Sequence, residues 1–427
     1  MKESVIVYAL GRYWKDEIKV INSQYDIIAC SDQNPKASKV AGEYMFVAPE
    51  FMRDISCDKV IIGCSKYESM RELIAYNYNI PWQKIFYYEE LFGDIERKEP
   101  GESRGHDEKL TVVIPTYNRR ERLKRTLRLL EMQTDDDFTV IIMDNCSNYS
   151  IYDMLEEYTL PFKKKVKVVR NKINIGAGAN IANTFIQGIS GWMWLLGDDD
   201  IPSIYAVEHI YEEIESSDQM GVIHFAIHDS MKQLLKGYKD FINLHELLNF
   251  YQNIVDQGQD VGLCNGDFIY CSNKVYNMKY IFQYCNNVVK YAYSAVPNLV
   301  PILFMLNDSA AYMRISCKQI VTWDMSKGDH WDCIETLSGM RIVTDFKINL
   351  NQTEKKMLYR LLLYAYTDDL LGAIREQSFN YDIEQIEKLY SEIYQYCLDD
   401  EERNNFYQKI QKLKKEHANV GKRSRTK

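Results

Sequence analysis

The stretch "WMWLLGDDDIP", Trp192 to Pro202, ends an apolar run in three consecutive carboxylates. Buried charges without partners are costly, and adjacent carboxylates repel one another. One interpretation is that the acids precede a helix, with Asp200 or Ser203 as its N-terminal cap. The other is that they ligate a divalent cation, because hard metal ions prefer carboxylate oxygens. The three acids alone leave both interpretations open.

Three more apolar strands are predicted before this stretch, at Leu110–Pro115, Phe138–Asn145 and Lys165–Asn171, and helical patterns alternate with them. Such alternation implies a parallel sheet, and ligands bind at the carboxyl ends of parallel strands. Each predicted strand ends in small polar residues, "PTYNRR", "DNCSN", "RNKINIGAGAN" and "GDDDIP". These four loops are therefore expected to share one edge of the sheet.

In their order and spacing, these segments resemble the nucleotide-binding half of glycosyltransferase family 2, whose enzymes have the GT-A fold. The resemblance covers residues 110–215. It implies a nucleotide-diphosphate sugar donor, Mn²⁺ or Mg²⁺ as cofactor, and inverting transfer to an acceptor hydroxyl. The acceptor is expected to be a glycan or a lipid-linked or protein-linked molecule, in the assembly of a bacterial surface glycan or glycoconjugate.

The resemblance also implies roles for individual residues. Thr116 and Tyr117 are expected to line the nucleotide pocket, and Asp144 to hydrogen-bond the base or ribose. The residues expected beside the diphosphate and donor sugar are Arg170, Asn174, Gly176, Asn180 and Asp198. The implied metal ligands are Asp198, Asp199 and Asp200, with His330 as a further candidate.

The chain departs from the family pattern at two points. The common acidic pattern is Asp-x-Asp-Asp, and Gly197 stands where its first acid would be, which leaves open which carboxylate ligates the metal. The acidic motif that supplies the general base has no clear match downstream, although an inverting displacement needs a carboxylate near the acceptor hydroxyl. The candidates are Asp267, Asp324 and Asp329, for each of which an ordinary loop acid is the alternative.

Residues 1–94 are predicted to form a smaller, Rossmann-like doubly wound domain, because strands and helices alternate there too. Ala9, Gly11 and Trp14 stand at the three glycine positions of a dinucleotide-binding loop, and Asp32 stands where the ribose-binding acid would follow. The bulky Trp14 disfavours a working NAD site. Binding of a nucleotide or nucleotide sugar, docking of a partner, and a redox or epimerase site remain the alternatives.

The rest of the chain divides by composition. A polar, charged linker at 95–109 precedes the predicted GT-A domain at 110–351. Residues 352–427 are predicted to be a helical C-terminal region that ends in a basic tail. The predicted fold class is therefore α/β, with a GT-A domain between a Rossmann-like domain and a helical region.

Composition excludes several classes of function. The chain has 427 residues and a formal net charge of −9, which argues against nucleic acid as a partner. No apolar run approaches the roughly 18 residues of a spanning helix. Ten cysteines without a CxxC pair indicate neither a zinc site nor a disulfide framework. A cytoplasmic location is expected.

Two basic clusters have alternative interpretations. One lies at the start of the first helix after Thr116 and is either a solvated face or a site that attracts a phosphorylated ligand; it comprises Arg119, Arg120, Arg122, Lys124, Arg125 and Arg128. The other is the tail, either a solvated end or a contact with anionic lipid at the inner face of a membrane; it comprises Lys409, Lys412, Lys414, Lys415, Lys422, Arg423, Arg425 and Lys427.

Two other functions are compatible with the sequence. A protein that binds a nucleotide sugar without catalysis, as a scaffold, would retain the pocket but not the base. An oxidoreductase would require NAD in the first domain.

Overall fold

The computed structural model of the chain describes most of its length. The described residues are 2–10, 14–63, 70–93, 104–322 apart from 159–162, 164 and 217, then 338–339, 341–363, and 387–424 apart from 389–390, 393 and 397–398.

The N-terminal residues form a five-stranded sheet. Its strands are β1 (Ser4–Tyr8), β2 (Asp26–Ser31), β3 (Phe46–Val47), β4 (Lys59–Ile62) and β5 (Ile85–Tyr87). Their order is β3-β2-β1-β4-β5, and every neighbouring pair is parallel. The chain therefore reverses direction across the sheet between β1 and β4, as in a doubly wound fold. This confirms the Rossmann-like character predicted from the sequence.

Helices cover both faces of this sheet, as its alternating side chains require. Ile6 and Tyr8 belong to one hydrophobic core, whereas Val5 and Val7 belong to another on the opposite face. The α-helices are Trp14–Gln24, Ser38–Ala41, Met70–Tyr78 and Tyr88–Phe92, with 3₁₀ turns at Pro35–Ala37, Pro49–Asp54 and Trp82–Lys84.

The second sheet has eight strands in the order β12-β14-β11-β13-β9-β6-β7-β8. The strands are β6 (Leu110–Thr116), β7 (Phe138–Asp144), β8 (Val166–Arg170), β9 (Trp192–Leu195), β11 (Met220–Phe225), β12 (Tyr238–Phe241), β13 (Lys274–Asn277) and β14 (Tyr312–Ser316). β8, β7, β6 and β9 are mutually parallel, and β13 pairs antiparallel with both β9 and β11. The parallel half contains the four predicted strands.

A separate two-stranded pair follows the acidic stretch. β10 (Ile201–Pro202) pairs antiparallel with β15 (Val321–Thr322), so the chain is tethered immediately after Asp200. No strand was predicted from β11 onwards, and the structure adds β11 to β15 there.

Helices pack on both faces of the large sheet. They are Arg120–Glu131, Ile151–Leu155, Ala177–Thr184, Ala206–Ile214, Asp229–Leu235, Leu244–Asp256, Val261–Ile269, Met278–Ile281, Cys285–Lys290 and Val300–Asn307, with 3₁₀ turns at Phe282–Tyr284 and Arg341–Asp345. In the described chain, no helix is both long and apolar enough to cross a membrane.

The C-terminal helices Gln352–Leu363 and Asp400–Ser424 share the core of the second domain. Leu361 is fully buried there, and its carbonyl accepts a hydrogen bond from Asn265 Nδ2. Ile410 belongs to the same core. The predicted helical region is therefore confirmed as helical where it is described, and it packs as part of the larger domain.

Candidate active site

The polar residues after β6 connect the first loop to the acidic one. Thr116 is buried, and its hydroxyl donates to Asp198 Oδ2 at 2.7 Å. Arg119 Nη1 donates to Asp198 Oδ1 at 3.0 Å and to Asp199 Oδ2 at 2.9 Å. Tyr117 between them is exposed. The first and fourth loops thus meet at one edge of the sheet, as the parallel topology requires.

The second loop is held by the carboxylate that ends β7. Asp144 is fully buried; its Oδ1 accepts from the Ser147 amide at 2.9 Å and its Oδ2 from Arg170 Nη1 at 2.5 Å. Arg170 Nη2 donates to the Ser147 carbonyl at 2.6 Å. Both carboxylate oxygens therefore accept hydrogen bonds from the protein, and half of the Arg170 side chain remains exposed beside them.

A ladder of asparagines joins the second loop to the third. Asn145 Nδ2 donates to Asn174 Oδ1 at 2.7 Å, and its Oδ1 accepts from Asn171 Nδ2 at 3.0 Å. Asn171 Nδ2 also donates to Asn180 Oδ1 at 2.9 Å, and Asn180 Nδ2 to the Met143 carbonyl at 3.0 Å. These side chains fix residues 171–180 against the end of β7.

Gly176 gives the third loop its turn into the helix Ala177–Thr184. It caps that helix with a φ of 85°, a conformation that glycine adopts without strain. Two residues on, a Cβ atom at Gly178 would lie 2.5 Å from the Ala292 carbonyl oxygen. The loop therefore packs closely against residues 291–294.

The acidic stretch is enclosed by polar groups. Asp198 and Asp200 are buried, whereas Asp199 is partly exposed. Ser272 Oγ donates to Asp200 Oδ2 at 2.5 Å and accepts from the Gly197 amide at 2.8 Å. Thr126 Oγ1 donates to the carbonyls of Asp198 and Asp200 at 3.0 and 3.2 Å. Both the side chains and the backbone of the triplet are thus held in place.

The basic cluster on the helix Arg120–Glu131 divides between two roles. Arg122 Nη1 lies 3.3 Å from Asp199 Oδ2, and Arg125 Nη2 donates to the Asp199 carbonyl at 2.5 Å. The other three pair with acids away from the triplet; Arg120 and Lys124 contact Glu157, and Arg128 contacts Glu131. Part of the cluster therefore faces the acidic loop, together with Arg119, and part is a surface of ion pairs.

The ionisation of the triplet reflects its burial. Burial raises the pKa of Asp198 to about 6, against the opposing effect of the Arg119 guanidinium. Burial, with the charge of Asp199 beside it, raises the pKa of Asp200 to about 7. The negative charge of these carboxylates is therefore incompletely compensated by the surrounding protein.

The helix-cap interpretation of the triplet is wrong. The next helix begins at Ala206 with Tyr205 as its N-cap and no side-chain cap. The Ser203 hydroxyl accepts from the Tyr205 amide at 3.2 Å, outside that helix, and Asp200 bonds to Ser272 instead. The buried acids are not explained by a helix terminus.

Residues 111–280 match the family described as Glycosyl transferase family 2. This span begins in β6, includes all four polar loops and extends past Ser272. Residues 111–280 belong to glycosyltransferase family 2. The family predicted from the sequence is confirmed, and with it the GT-A class of fold for the second sheet.

Relatives of the glycosyltransferase domain match it over part of their length. An uncharacterized glycosyltransferase of Haemophilus influenzae is 32% identical over 116 residues, which are 27% of this chain and 37% of that protein. The abequosyltransferase RfbV of Salmonella typhimurium is 27% identical over 93 residues, 21% of this chain and 28% of that protein. A crystal structure of S. aureus TarS 1-349 in complex with UDP-GlcNAc has 15% identity and a TM-score of 0.48, over 67% of this chain and 80% of that one.

Gly197 occupies the family's first acidic position in this glycosyltransferase domain for a steric reason. A Cβ atom there would lie 2.6 Å from Asp200 Oδ2 and 3.2 Å from Asp199 Oδ1. The loop is folded so tightly that a side chain at Gly197 would collide with the following carboxylates. The acids available to a cation are therefore Asp198, Asp199 and Asp200.

The base candidates stand differently. Asp267 is fully buried, and its oxygens bond to His224 Nε2 at 2.6 Å and to the Ile227 amide at 2.8 Å. Burial raises the pKa of Asp267, but the His224 contact outweighs it and the net pKa is lowered. This geometry does not favour Asp267 as a base, since both of its oxygens bond within the core. Asp324, Asp329 and His330 lie outside the described residues.

The triplet meets one requirement of a divalent cation, which is carboxylate charge that the protein compensates only in part. Among the described residues, three side chains with metal-ligating atoms within 4.8 Å of one another are found at His106, Asp135 and Asp137, and not at the triplet. The triplet is therefore not a closed cage. Mg²⁺ is commonly held by one or two carboxylates, with phosphate oxygens and water completing its coordination. The residues present fit a cation held in that way.

The His106 cluster is an ion-pair network. His106 Nε2 lies 2.7 Å from Asp135 Oδ2 and its Nδ1 2.6 Å from Glu215 Oε1. Burial lowers the pKa of His106, but the two hydrogen bonds outweigh it and the net pKa is raised. The ring stacks on Tyr211 at 3.6 Å, and Arg104 approaches Asp135 as well. These contacts hold the segment around His106 to the glycosyltransferase domain.

Several residues of the site were missed from the sequence. Ser272 bonds to Asp200 from 72 residues away, and nothing in the segment "CSNK" indicates that contact. Asn145 and Asn171 directly follow the strands β7 and β8, so their positions indicated a place in the site as clearly as those of the predicted site residues Asp144 and Arg170. Arg125 was predicted as part of the basic cluster, but its contact with the Asp199 carbonyl was not. Thr126 lies inside a helix, where its polar character alone gave no indication.

The loop after β1 in the N-terminal domain is held by Asp32, which follows β2. Asp32 Oδ2 accepts from the Leu10 amide at 2.9 Å, and Asp32 Oδ1 from the Asn34 amide at 2.8 Å. Ala9 has a φ of 62°, the conformation for which a dinucleotide-binding loop uses glycine. Asp32 therefore fixes the loop after β1. Gly11 lies outside the described residues, as do the side-chain surroundings of Trp14.

Proposed function

We propose that the protein transfers a sugar from a nucleotide-diphosphate donor to an acceptor hydroxyl. The observation that carries this proposal is the pair of buried carboxylates, Asp198 and Asp200, fixed at the edge of the sheet where three further polar loops converge. Open parallel sheets bind ligands at this edge. The membership of residues 111–280 in glycosyltransferase family 2 supports the class of reaction.

The donor is proposed to lie across the four loops. Thr116, Tyr117 and Asp144 with Arg170 form the nucleotide end, and Asp144 acts there by holding Arg170 and the Asn145–Ser147 backbone. The donor sugar and diphosphate lie beside a second group of residues, which are Asn174, Gly176, Asn180 and Asp198. Arg119 and Arg122 supply positive charge toward the leaving diphosphate, which gains negative charge as the anomeric bond breaks.

Asp198 and Asp200 are the residues proposed to hold Mn²⁺ or Mg²⁺, with Asp199 as a third candidate. When bound, such an ion stabilises negative charge on the diphosphate leaving group. Ser272 and Thr126 keep these carboxylates in place. Because the carboxylates are buried and mutually repelling, binding of the ion is expected to favour their ionised forms.

The reaction is proposed to be an inverting displacement, with Asp324 or Asp329 as the base. The name of the Salmonella relative, an abequosyltransferase, supports transfer of a sugar. We propose that this transfer serves the assembly of a bacterial surface glycan or glycoconjugate. The acceptor is then a glycan or a lipid-linked or protein-linked molecule, reached from the cytoplasmic side. The basic residues of the tail, from Lys409 to Lys427, are proposed to contact anionic lipid at the inner face of the membrane.

Thermal unfolding with a panel of nucleotide sugars tests the proposal. A ligand that binds only the folded protein raises its Tm, and the rise increases with the ratio of ligand concentration to Kd. At least one of the UDP-, GDP-, dTDP- and CDP-sugars is expected to raise the Tm in the presence of Mn²⁺, and less so in chelator. A protein whose Tm responds to none of them is not a nucleotide-sugar transferase. Binding without any turnover indicates the scaffold function instead.

A further inference from the structure

A stripe of exposed apolar side chains runs along the segment 282–293. Phe282, Val289 and Tyr293 are 62%, 51% and 65% exposed. Phe282 lies in a 3₁₀ turn, Val289 lies in the helix Cys285–Lys290, and Tyr293 follows that helix, so all three are exposed along one continuous segment. The opposite side, which includes Ile281, Cys285, Val288 and Ala292, is buried in the core. An exposed helix face in a soluble domain is ordinarily polar, so this apolar stripe marks an interaction surface.

The stripe continues to the proposed donor loop. Cys285 Sγ donates to the Phe185 carbonyl at 3.1 Å, which brings Ile186, itself 49% exposed, beside the segment. At the other end, a Cβ atom on Gly176 would lie 3.9 Å from Tyr293 Cε1. Ile173 in the same loop is 67% exposed. We call these five apolar residues, Ile173, Ile186, Phe282, Val289 and Tyr293, the apolar face.

The charge around the apolar face is positive. No acid occurs from Phe268 to Asn307, although 61 of the 427 residues are acidic. Lys172, Lys279 and Lys290 are exposed within or beside the face.

The acidic residues that contact this part of the chain from other elements lie at the end that carries Phe282. The Asp218 carbonyl accepts from Tyr280 at 3.3 Å, and Asp308 Oδ2 accepts from Tyr284 at 3.2 Å. These contacts lie away from Tyr293 and from the donor loop. A protein with a net charge of −9 thus presents a basic and apolar surface next to its proposed donor site.

We propose that the apolar face docks the protein on the surface of an anionic lipid bilayer. Exposed apolar side chains flanked by lysines are the pattern of an interfacial segment, which inserts its apolar side chains at the level of the headgroups. The lysines complement anionic headgroups. A second copy of the chain fits less well, because a two-fold contact would bring the same lysines together.

Docking in this way sets the donor loop at the membrane surface. Gly176 and Ile173 then lie at the lipid boundary, and an acceptor anchored in the bilayer can reach the sugar. The acceptor class that follows is a lipid-linked one, and this second step rests on the proposed function. The docking itself does not depend on catalysis.

Vesicle sedimentation with a matched pair of double variants tests the docking. Phe282→Glu with Val289→Glu changes the apolar face. Val20→Glu with Phe51→Glu changes residues of the N-terminal domain that are 40% and 57% exposed. Both variants add the same charge, so a difference between them reports the location of the change. The full-length proteins are mixed with vesicles of phosphatidylcholine alone or with added phosphatidylglycerol, at low salt and at high salt, where attraction through the tail is screened.

The wild type and the control double variant are expected to sediment with the anionic vesicles, also at high salt. The apolar-face double variant is expected to lose about tenfold or more in affinity, because two apolar contacts are lost and two repelling charges are added. Its Tm and its donor hydrolysis in solution should match those of the wild type. Equal sedimentation of the two double variants overturns the proposal.

Light scattering tests the alternative that the apolar face binds a second copy of the chain. If the wild type does not bind vesicles but is a dimer that the apolar-face variant dissociates, the face is an interface between copies and the docking is refuted. Vesicle binding with no sugar transfer leaves the docking intact and contradicts the proposed function. Transfer to soluble acceptors without vesicle binding refutes the docking and leaves the proposed function intact.

Discussion

The two buried carboxylates of the triplet are the residues on which the proposed chemistry depends. Asp198 receives hydrogen bonds from Thr116 and Arg119, and Asp200 from Ser272. These contacts orient the oxygens, but burial still raises both pKa values. Orientation with incomplete neutralisation is consistent with the cation binding proposed for these residues.

Asp200→Ala is predicted to abolish transfer, with a loss of at least about a hundredfold in kcat/KM, because charge stabilisation of the leaving group is a large term in catalysis. The Tm should stay close to that of the wild type, since the lost hydrogen bond is offset by removal of a buried charge. Asp136→Ala, at an acid outside the four loops that pairs with Lys165, is the control and should remain active. Unchanged turnover in the Asp200 variant would refute the assignment.

Gly197→Ala is predicted to displace the Asp200 carboxylate, because the new Cβ atom would lie 2.6 Å from its Oδ2. We expect turnover to fall by about tenfold or more, as small misplacements in an active site do. The matched control is Gly266→Ala, in the helix Val261–Ile269, where the nearest side-chain atom would be 3.4 Å away. That variant should be active and up to about 1 kcal/mol more stable in urea unfolding. Equal activity of the two variants would show that the loop accommodates a Cβ atom at Gly197 without displacing the Asp200 carboxylate.

Asp144→Asn is predicted to weaken donor binding by about 1–3 kcal/mol, the usual loss for a disrupted hydrogen bond to a charged group. The amide keeps the shape of the side chain but removes the charge that holds Arg170 at 2.5 Å. Calorimetric titration with the donor measures the effect. Asp153→Asn, an exposed acid in the neighbouring helix Ile151–Leu155, is the control. Identical donor affinity in the Asp144 variant would mean that the nucleotide binds elsewhere.

At the scale of elements, the loop 171–180 is shaped by side chains rather than by regular backbone pairing. Asn145, Asn171 and Asn180 hydrogen-bond to one another and to the end of β7. Since buried amides are costly when they lose a partner, the network holds one arrangement of the loop. The proposed donor contacts at Asn174 and Gly176 depend on that arrangement.

Asn171→Ala is predicted to raise the Kd for the donor by about tenfold, because it removes the donors to Asn145 Oδ1 and Asn180 Oδ1 and frees the loop. Asn148→Ala, at an exposed side chain whose backbone amide alone bonds to Asn118, should bind the donor normally. Fluorescence or calorimetric titration compares the two. A donor affinity that is unchanged in both variants would show that the ladder does not shape the site.

The elements that the sequence predicts well are those whose polar and apolar residues separate cleanly. β6 to β9 are apolar runs that end in polar residues, so both the strands and the loops of the site could be predicted. β13 could not, because it is a central antiparallel strand covered on both faces and its four residues include the buried Lys274 and Asn277. Burial lowers the pKa of Lys274 to about 7, a position that composition alone would assign to solvent.

Long-range side-chain contacts explain the rest of what was missed. Ser272 reaches Asp200 only because β13 lies against β9, and that pairing has no local signal. For Asp267, the sequence could not show that His224 would meet it in the core, 43 residues away. The sequence does not distinguish an aspartate in an exposed loop from one in a buried pair.

At the scale of the whole molecule, the two ends of the chain differ in how they join the glycosyltransferase domain. The C-terminal helix Asp400–Ser424 places Ile410 in the domain's core. The N-terminal domain has its own two cores and its own sheet. The described C-terminal residues thus share a core with the glycosyltransferase domain, whereas the N-terminal domain has cores of its own.

Removal of the residues after Gln411 is predicted to weaken binding to anionic vesicles at low salt, since each basic residue near the surface contributes about 1 kcal/mol. The buried Ile410 is retained, so the fold should persist. The loss should shrink at high salt, in contrast to that of the apolar-face double variant. Vesicle sedimentation of the truncated and full-length proteins compares them. If both stay equally in the supernatant at low salt, the tail does not contact the membrane.

The most direct test of the account is the release of nucleoside diphosphate from nucleotide sugars by the full-length protein, with Mn²⁺ or with a chelator. We expect nucleoside diphosphate to be released from at least one donor in Mn²⁺, and an acceptor to stimulate this release. A chelator should abolish the release, and adding the ion should restore it. Release that is equally fast in chelator, or that is absent for every donor in Mn²⁺, would contradict it.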